Sequence, residues 1–356
     1  FPPTENLGHG NFTYFSAVCW LLGRYLHEAL GYPVGLVEAA WGGTPIEAWS
    51  SRRALGTCGL PGDAGSKPLA PPPPALPSRF TPPLSPSFVF SVSPHRSVSG
   101  PEAPSVLWNA MIHPLLNMTL RGVAWYQGET NAFLHTDLYN CTFPALIADW
   151  RRAFHAGSAG QTEPLLPFGF VQLSTYRQQS PADNFARLRW HQTADLGVVP
   201  NARMPGTFMA VAMDLCDERS PYGSVHPRDK QNVAHRLQLG ARAVAYGEKN
   251  LVFQGPYPTR AVLEVTRALL NLTYSQELVC RQRDPRAFEV CCSSQPSPCR
   301  WLPATMVAVR SRTVTLALAG CGTPVVALRY AWGEWPCEYR SCALYNAQGL
   351  PAPPFL

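Results

Sequence analysis

The chain has 356 residues, of which 46% are hydrophobic and 15% are charged, and its formal net charge at pH 7 is +6. This length and composition suit a folded protein with one large core or two smaller ones, and they exclude disorder of the whole chain. The basic residues form no run, which argues against nucleic-acid binding, and no apolar run reaches the length that a membrane span needs.

The first predicted elements are a helix and a strand. Apolar residues recur at helical spacing from Phe15 to Leu30, and Gly31 ends this helix. The run from Pro33 to Ala40 predicts a buried strand, which leads into the turn Gly42-Gly43. Glycines let backbone N–H groups approach a ligand closely, so either one could donate to an oxyanion hole. A plain tight turn is the alternative.

The composition changes abruptly between Gly59 and Pro104. This segment holds thirteen prolines and few periodic apolar residues. Such a composition is typical of linkers and predicts a disordered insertion whose removal leaves the core intact.

The stretch GVAWYQGETN, from Gly122 to Asn131, is the most informative part of the chain. A short apolar run suits a strand, and it breaks at once into a turn that carries Gln127, Glu129 and Asn131. Open α/β sheets bind ligands beyond the carboxyl ends of their strands. An amide there suits an oxyanion-hole donor, and a carboxylate suits the orienter of a histidine. A hydrogen-bonded turn without chemistry is the alternative.

Helices and strands alternate further along the chain. Pro144 to Phe154 predicts a helix with its proline in the first turn, and Phe185 to Leu196 predicts another helix. Pro167 to Leu173 and Thr207 to Met213 are apolar enough for buried strands. This alternation predicts a mostly parallel, three-layer α/β/α sandwich.

A candidate general base follows the last of these strands. His226 lies on the long loop after Met213, and Pro227 with the amphipathic run from Val233 to Ala245 predicts a helix just beyond it. A loop between a strand and a helix is a common position for a catalytic histidine. A purely structural histidine is the alternative.

After residue 250 the alternation gives way to short β-like runs and a cluster of cysteines. Seven of the eleven cysteines lie between Cys280 and Cys342, without the CxxC spacing of zinc sites. They predict disulfides, with one cysteine left over, and therefore a lysosomal or secreted protein. Four glycosylation sequons support this compartment: Asn11, Asn117, Asn140 and Asn271. We divide the chain into residues 1–250, with the insertion at 59–104, and a β-rich, disulfide-linked region at 251–356.

Several stretches, in one order along nearly the whole chain, carry a resemblance: GHGNFTYFSAVCW, WGGTPIEAWSS, SVLWNAMIHP, WYQGETN, RWHQTAD, HPRDKQNVAHRL and LRYAWGEWPCEY. With them the chain resembles the SGNH-type carbohydrate esterases, and among these the sialate O-acetylesterases. The resemblance implies an SGNH-like sandwich and a serine-type mechanism that removes O-acetyl groups from sialic acids, at the 9-position and related ones. It implies no metal or cofactor. It also assigns the oxyanion hole to the Gly42-Gly43 turn and Asn131.

The family's nucleophilic serine lies in a GQSN-type turn, and no such turn occurs in these residues. Four serines lack the glycine-flanked turn that exposes a nucleophile: Ser16, Ser50, Ser51 and Ser224. The chain opens on FPPTENLGHG, without a signal peptide or an initiator methionine, as a fragment would. We therefore expect an upstream part of the same protein to complete the site, and we expect this fragment alone to be inactive.

The acid that orients His226 stays open between three residues. Many SGNH enzymes place an aspartate three residues before the histidine, but Gly223 stands at that position here. Glu129 is the first candidate because it lies in the turn after a strand. Asp217 and Asp214, on the histidine's own loop, are the alternatives.

The resemblance also points to residues that bind the substrate, an O-acetylated sialic acid or sialoglycoconjugate. Arg189 and Gln192 lie in the RWHQ stretch, and a guanidinium suits a sialate carboxylate. Gln127 is a further candidate, and Arg187 or Arg228 could replace Arg189. An acetylxylan-type or general carbohydrate esterase is one rival function, and a non-catalytic glycan-binding remnant is the other.

Overall fold

The computed structural model describes residues 15–60, 100–292, 299–318, 320–321 and 325–356. The predicted disordered insertion falls mostly on residues 61–99, which lie outside the described residues. The described α-helices are α1 (Ala17–Leu30), α2 (Ile46–Trp49), α3 (Arg52–Thr57), α4 (Tyr139–Gly157), α5 (Asn184–His191) and α6 (Lys230–Val244). The described strands are β1 (Val123–Trp125), β2 (Phe168–Gln172), β3 (Thr207–Val211), β4 (Pro258–Glu264), β5 (Leu269–Tyr274), β6 (Val279–Cys280), β7 (Phe288–Cys292), β8 (Trp301–Pro303), β9 (Thr305–Arg310), β10 (Thr313–Ala317), β11 (Val325–Tyr330) and β12 (Leu344–Tyr345).

A parallel sheet of β1, β2 and β3 forms the centre of the first part of the chain, with β2 in the middle. Every residue of β2 and β3 is buried. This explains why both segments are continuous apolar runs rather than alternating ones, since helices cover both faces of a parallel sheet.

Each face of this sheet has its own hydrophobic core. On one face Val171 and Phe208 pack in a cluster with Leu237 of α6 and Val18 of α1. On the other face Phe168 and Phe170 pack with aromatic residues of α4, including Phe143 and Trp150. Helices on both sides of the parallel sheet confirm the predicted three-layer α/β/α arrangement.

The packing of Phe208 against α6 gives the first testable prediction. A Cβ added to Gly240 of α6 would lie 2.4 Å from Cδ2 and 2.9 Å from Cβ of Phe208, and the latter atom is fixed to β3. The helix and strand must therefore separate, so Gly240→Ala should lower the free energy of unfolding by about 1 to 3 kcal/mol. Thermal melting measures this loss.

Gly56→Ala is the matched control. Gly56 is also a helical glycine, in α3, but an added Cβ meets nothing within 4 Å. Its melting temperature should stay the same or rise, because alanine favours a helix over glycine by about 1 kcal/mol. Equal melting temperatures for both variants would contradict the tight packing of α6 on Phe208.

Three sequence-based boundaries were wrong. No strand forms at 33–40, and Val37 in this segment is 48% exposed. The segment is apolar, but no described strand lies beside it to accept its backbone hydrogen bonds. Helix α4 begins at Tyr139, ahead of Pro144, because Tyr139 and Phe143 already belong to the core. Helix α5 ends at His191, and turns replace the predicted helix over 192–196. The predicted end of α1 at Gly31 is confirmed, since this residue caps the helix with a left-handed φ of 74°.

The C-terminal region is β-rich, as predicted. Strands β4, β5, β10 and β9 form one antiparallel sheet, β11, β7 and β8 form another, and β12 pairs with β6. Three disulfides lie in this region and a fourth, Cys58–Cys141, joins the end of α3 to α4. The three are Cys291–Cys299, Cys292–Cys321 and Cys337–Cys342. Cys19, Cys216 and Cys280 form no disulfide.

Candidate active site

A cleft of about 680 Å³ brings together several of the residues singled out in the sequence. Its walls come from the start of α1, the Gly42-Gly43 turn, the segment after β1, the segment between β2 and α5, and the residues before α6. The lining residues are Ser16, Ala17, Val18, Trp41, Gly42, Gly43, Thr44, Tyr126, Gln127, Glu129, Thr130, Phe133, Tyr176, Phe185, Val225, His226 and Lys230. Segments that follow parallel strands thus build the cleft, as open α/β folds generally do.

The glycine turn leaves its backbone amides available. Gly43 adopts a φ of +75°, a conformation that favours glycine, and an added Cβ at either glycine meets nothing within 4 Å. Thr44 Oγ1 donates to the carbonyl of Trp41 at 2.7 Å and closes the turn. Within the described residues neither the Gly42 nor the Gly43 N–H donates a hydrogen bond. These are the properties of an oxyanion-hole donor.

Asn131 is buried, only 1% exposed, and is not among the residues that line the cleft. Its Oδ1 accepts hydrogen bonds from Ile46 N at 2.8 Å and Gln127 Nε2 at 2.7 Å. Its Nδ2 donates to Glu47 Oε2 at 3.0 Å and to the Leu134 carbonyl at 3.2 Å. In this structure Asn131 therefore joins the segment after the glycine turn to the segment after β1, and both its N–H groups are already engaged.

His226 lies at the cleft with a free imidazole. Its loop is fixed by hydrogen bonds from His226 N to the Gly223 carbonyl at 2.9 Å and from Ser220 Oγ to the His226 carbonyl at 2.6 Å. The imidazole forms no hydrogen bond or ion pair with any described residue. The residue is exposed, but partial desolvation of its ring at the cleft, together with the charge of Lys230, lowers the pKa of His226 from its ordinary value of 6.5. This shift favours the neutral ring, which is the form that accepts a proton.

Glu129 lines the same cleft as His226. Burial raises the pKa of its carboxyl group, while Lys230 and the backbone amides of its own turn lower it. No hydrogen bond joins Glu129 to His226 in this structure.

The two alternative acids are engaged elsewhere. Asp214 is fully buried and receives hydrogen bonds from Arg236 at 2.5 and 2.9 Å and from Tyr345 Oη at 3.0 Å. Asp217 receives two from the guanidinium of Arg228, at 2.7 and 2.9 Å, and a third from the Arg228 backbone N–H at 3.1 Å, and these hold its pKa below the usual range. Neither residue lines the cleft.

Arg189 and Gln192 lie in the core rather than in the cleft. Arg189 is fully buried, and its guanidinium donates to the backbone carbonyls of Leu173, Ser174, Gly333 and Glu334. Gln192 accepts from Leu173 N and donates to the Val171 carbonyl, both at 3.0 Å. Both side chains therefore fix the end of β2, and Arg189 also ties it to the C-terminal region.

Sequence reasoning missed an aromatic rim and a lysine. Trp41 and Phe133 are 54% and 56% exposed at the cleft, and Tyr176 stacks on Phe185 with ring centroids 5.5 Å apart. Lys230, the first residue of α6, faces the same space. The signal for Lys230 was its position four residues after His226, at the start of the predicted helix.

The fold and the cleft place the chain in the SGNH-like α/β/α class. Its three-layer sandwich places a glycine turn, a carboxylate and an unengaged histidine in one cleft. The structure is similar to a carbohydrate acetylesterase from Xanthomonas citri, with a TM-score of 0.70 and 29% sequence identity over 97% of this chain and 66% of that chain.

Comparison by sequence is more specific. Residues 259–356 match the family model of the sialate O-acetylesterase C-terminal domain. Human sialate O-acetylesterase is 56% identical over 100% of this chain and 63% of its own length, and the mouse protein is 57% identical over 100% and 66%. The chain thus belongs to the sialate O-acetylesterase family, and it spans about two thirds of the length of these relatives.

Proposed function

We propose that the chain forms most of the active site of a serine-type esterase that removes O-acetyl groups from sialic acids, at the 9-position and related ones. The observation that carries this proposal is the shared cleft of the Gly42-Gly43 turn, Glu129 and His226, in a chain 57% identical to mouse sialate O-acetylesterase. An O-acetylated sialic acid or sialoglycoconjugate is the proposed substrate.

In the proposed reaction a serine attacks the acetyl carbonyl and His226 accepts its proton. His226 then returns this proton to the departing sugar oxygen, and it later activates the water that hydrolyses the acetyl-enzyme. The N–H groups of Gly42 or Gly43 stabilise the oxyanion. Asn131 would join them after its amide gives up the bond to the Leu134 carbonyl.

We assign Glu129 as the acid that supports His226. It is the one candidate among Glu129, Asp214 and Asp217 that lines the cleft with the histidine. Its carboxylate would stabilise the imidazolium that forms during the reaction. Gln127, which also lines the cleft, is proposed to bind the substrate.

The nucleophile is proposed to come from outside the described residues. The serine that lines the cleft, Ser16, caps α1 by accepting a hydrogen bond from Cys19 N at 3.3 Å. Without a nucleophile, a site retains only the contribution of binding and electrostatics, roughly 10³ to 10⁴ over water. We therefore propose that these 356 residues alone show no measurable turnover, and that an upstream segment of the same protein supplies the serine.

A lysosomal or secreted location is proposed with this activity. Four disulfides join described cysteines, and such bonds persist in oxidising compartments. Of the helices in the described ranges, none is both long and apolar enough to cross a bilayer.

The full-length protein tests the function directly. Hydrolysis of O-acetylated sialic acid and of O-acetylated xylose should be compared by their kcat/KM values, with sialic acid clearly preferred. Equal or better hydrolysis of the xylose ester would instead support a general carbohydrate acetylesterase, the activity named for the Xanthomonas citri neighbour. Binding of sialic acid without turnover would support a glycan-binding protein.

The pH profile gives a second prediction. A base must be neutral to accept a proton, so activity is lost as the pH falls through the pKa of His226. Because partial desolvation and Lys230 lower this pKa, the acidic limb of kcat/KM should have its midpoint below 6.5. Rates measured between pH 4 and 8 check this, and a midpoint clearly above 6.5 would contradict the lowered pKa.

A further inference from the structure

Lys230 is a cation in the cleft that has no ion-pair partner among the described residues. Its ammonium Nζ lies 5.1 Å from the centroid of the Tyr126 ring. The ammonium group forms no hydrogen bond with any described residue, and no described carboxylate lies within 4 Å of it. A partly buried ammonium that contacts an aromatic ring but forms no ion pair is incompletely compensated, and an anionic ligand would supply the missing ion pair.

The other candidate cations are already engaged. Arg189 is buried against four backbone carbonyls, and Arg187 pairs with Asp137. Arg228 binds both carboxylate oxygens of Asp217. Arg177, which does not line the cleft, pairs with Glu334. Lys230 is therefore the cation that remains available at the described walls of the cleft.

The acidic groups near Lys230 act on its charge, but none in the described ranges forms an ion pair with it within 4 Å. Burial lowers the pKa of Lys230, while the charges of Glu129, Asp217 and Asp229, in decreasing order, act to raise it. Both aspartates accept hydrogen bonds from other residues. Asp229 is bound by Asn232 and by Tyr339 Oη, the latter at 2.6 Å. Glu129, also a distant contributor, forms no ion pair with Lys230 within 4 Å. The position of Lys230 at the start of a 15-residue helix adds a favourable dipole for an anion.

We propose that Lys230 binds the carboxylate of the acidic sugar and so sets the preference of this cleft for sialic acids over neutral sugars. This inference rests on the proposed esterase function and names the residue that gives it specificity. The aromatic rim, with Trp41 and Phe133 exposed, offers apolar surface for the sugar ring beside this charge.

Binding of sialic acid and of its methyl ester to the full-length protein tests the proposal, since esterification removes the negative charge and adds no more than one methyl group. Calorimetry should show that the wild-type protein prefers the acid. Lys230→Met should weaken binding of the acid roughly tenfold to a hundredfold, the range for loss of a charge-assisted hydrogen bond, and should abolish the preference. Lys230→Arg should keep most of it. In kinetics with the O-acetylated forms, the loss should appear mainly in KM.

Lys249→Met is the matched control, because Lys249 is an exposed lysine that does not line the cleft. It should keep the wild-type preference. Equal weakening of the acid and its ester by Lys230→Met, or an unchanged preference in that variant, would overturn the role of Lys230. If Lys230→Met fails to fold, loss of the preference in Lys230→Arg decides against it. Failure of the wild-type protein to hydrolyse either acetylated form would overturn the esterase function, while the binding measurements still decide on Lys230.

Discussion

His226→Ala in the full-length protein is expected to lower kcat for O-acetylated sialic acid by roughly three orders of magnitude or more. The variant would lose both proton transfers, from the serine and to the leaving sugar oxygen. The melting temperature should barely change, because the imidazole is exposed and contacts no described residue through a hydrogen bond or ion pair. Steady-state kinetics and thermal melting measure the two effects.

His113→Ala provides the comparison. His113 is also an exposed histidine, and it lies outside the residues that line the cleft. Its replacement should leave kcat close to the wild-type value. Near-normal turnover of the His226 variant would refute the assignment of the base, and equal losses in both variants would indicate a general effect of removing a histidine.

Patterns that depend on neighbours in the sequence predicted much of the fold. Periodic apolar residues and a glycine located α1 and its end at Gly31, and continuous apolar runs located β2 and β3. Such patterns hold because local spacing decides which face of an element is buried. The same reasoning placed His226 and Glu129 after strands, where the cleft is found.

Long-range partners could not be predicted in this way. Arg189 was expected at the substrate, but it binds carbonyls 144 and 145 residues away in the C-terminal region. Asn131 is held by Glu47 and Ile46, which are 84 and 85 residues away. Whether a polar side chain faces a ligand or a buried carbonyl depends on packing between distant segments. Local sequence patterns do not predict that packing.

The segment at 33–40 shows the same limit for the backbone. Its apolar residues resemble those of β2, but a strand also needs a neighbour for its N–H and C=O groups, and the described chain offers none there. Lys230 was overlooked for a related reason. It is a candidate because no described carboxylate forms an ion pair with it, and only the three-dimensional arrangement of the carboxylates shows this.

Asp214→Asn is expected to lower the free energy of unfolding by about 3 to 5 kcal/mol, because it leaves the buried cation Arg236 without its carboxylate partner. Both carboxylate oxygens of Asp214 face Arg236, which is only 4% exposed, and Tyr345 adds a third hydrogen bond. Glu28→Gln is the control, since it removes only the exposed i,i+4 pair of Glu28 with Arg24 and should leave the melting temperature almost unchanged. Thermal melting compares the two losses.

The activity of the folded Asp214→Asn protein then separates structure from catalysis. Measured well below its melting temperature, its kcat should stay close to that of the wild-type protein, because Asp214 does not line the cleft and its carboxylate is bound by Arg236 and Tyr345. Glu129→Gln should do the opposite, with a large loss of kcat and little change in melting. A kcat that collapses in folded Asp214→Asn and survives in Glu129→Gln would transfer the orienting role from Glu129 to Asp214, because only an acid coupled to His226 can change turnover without unfolding the chain.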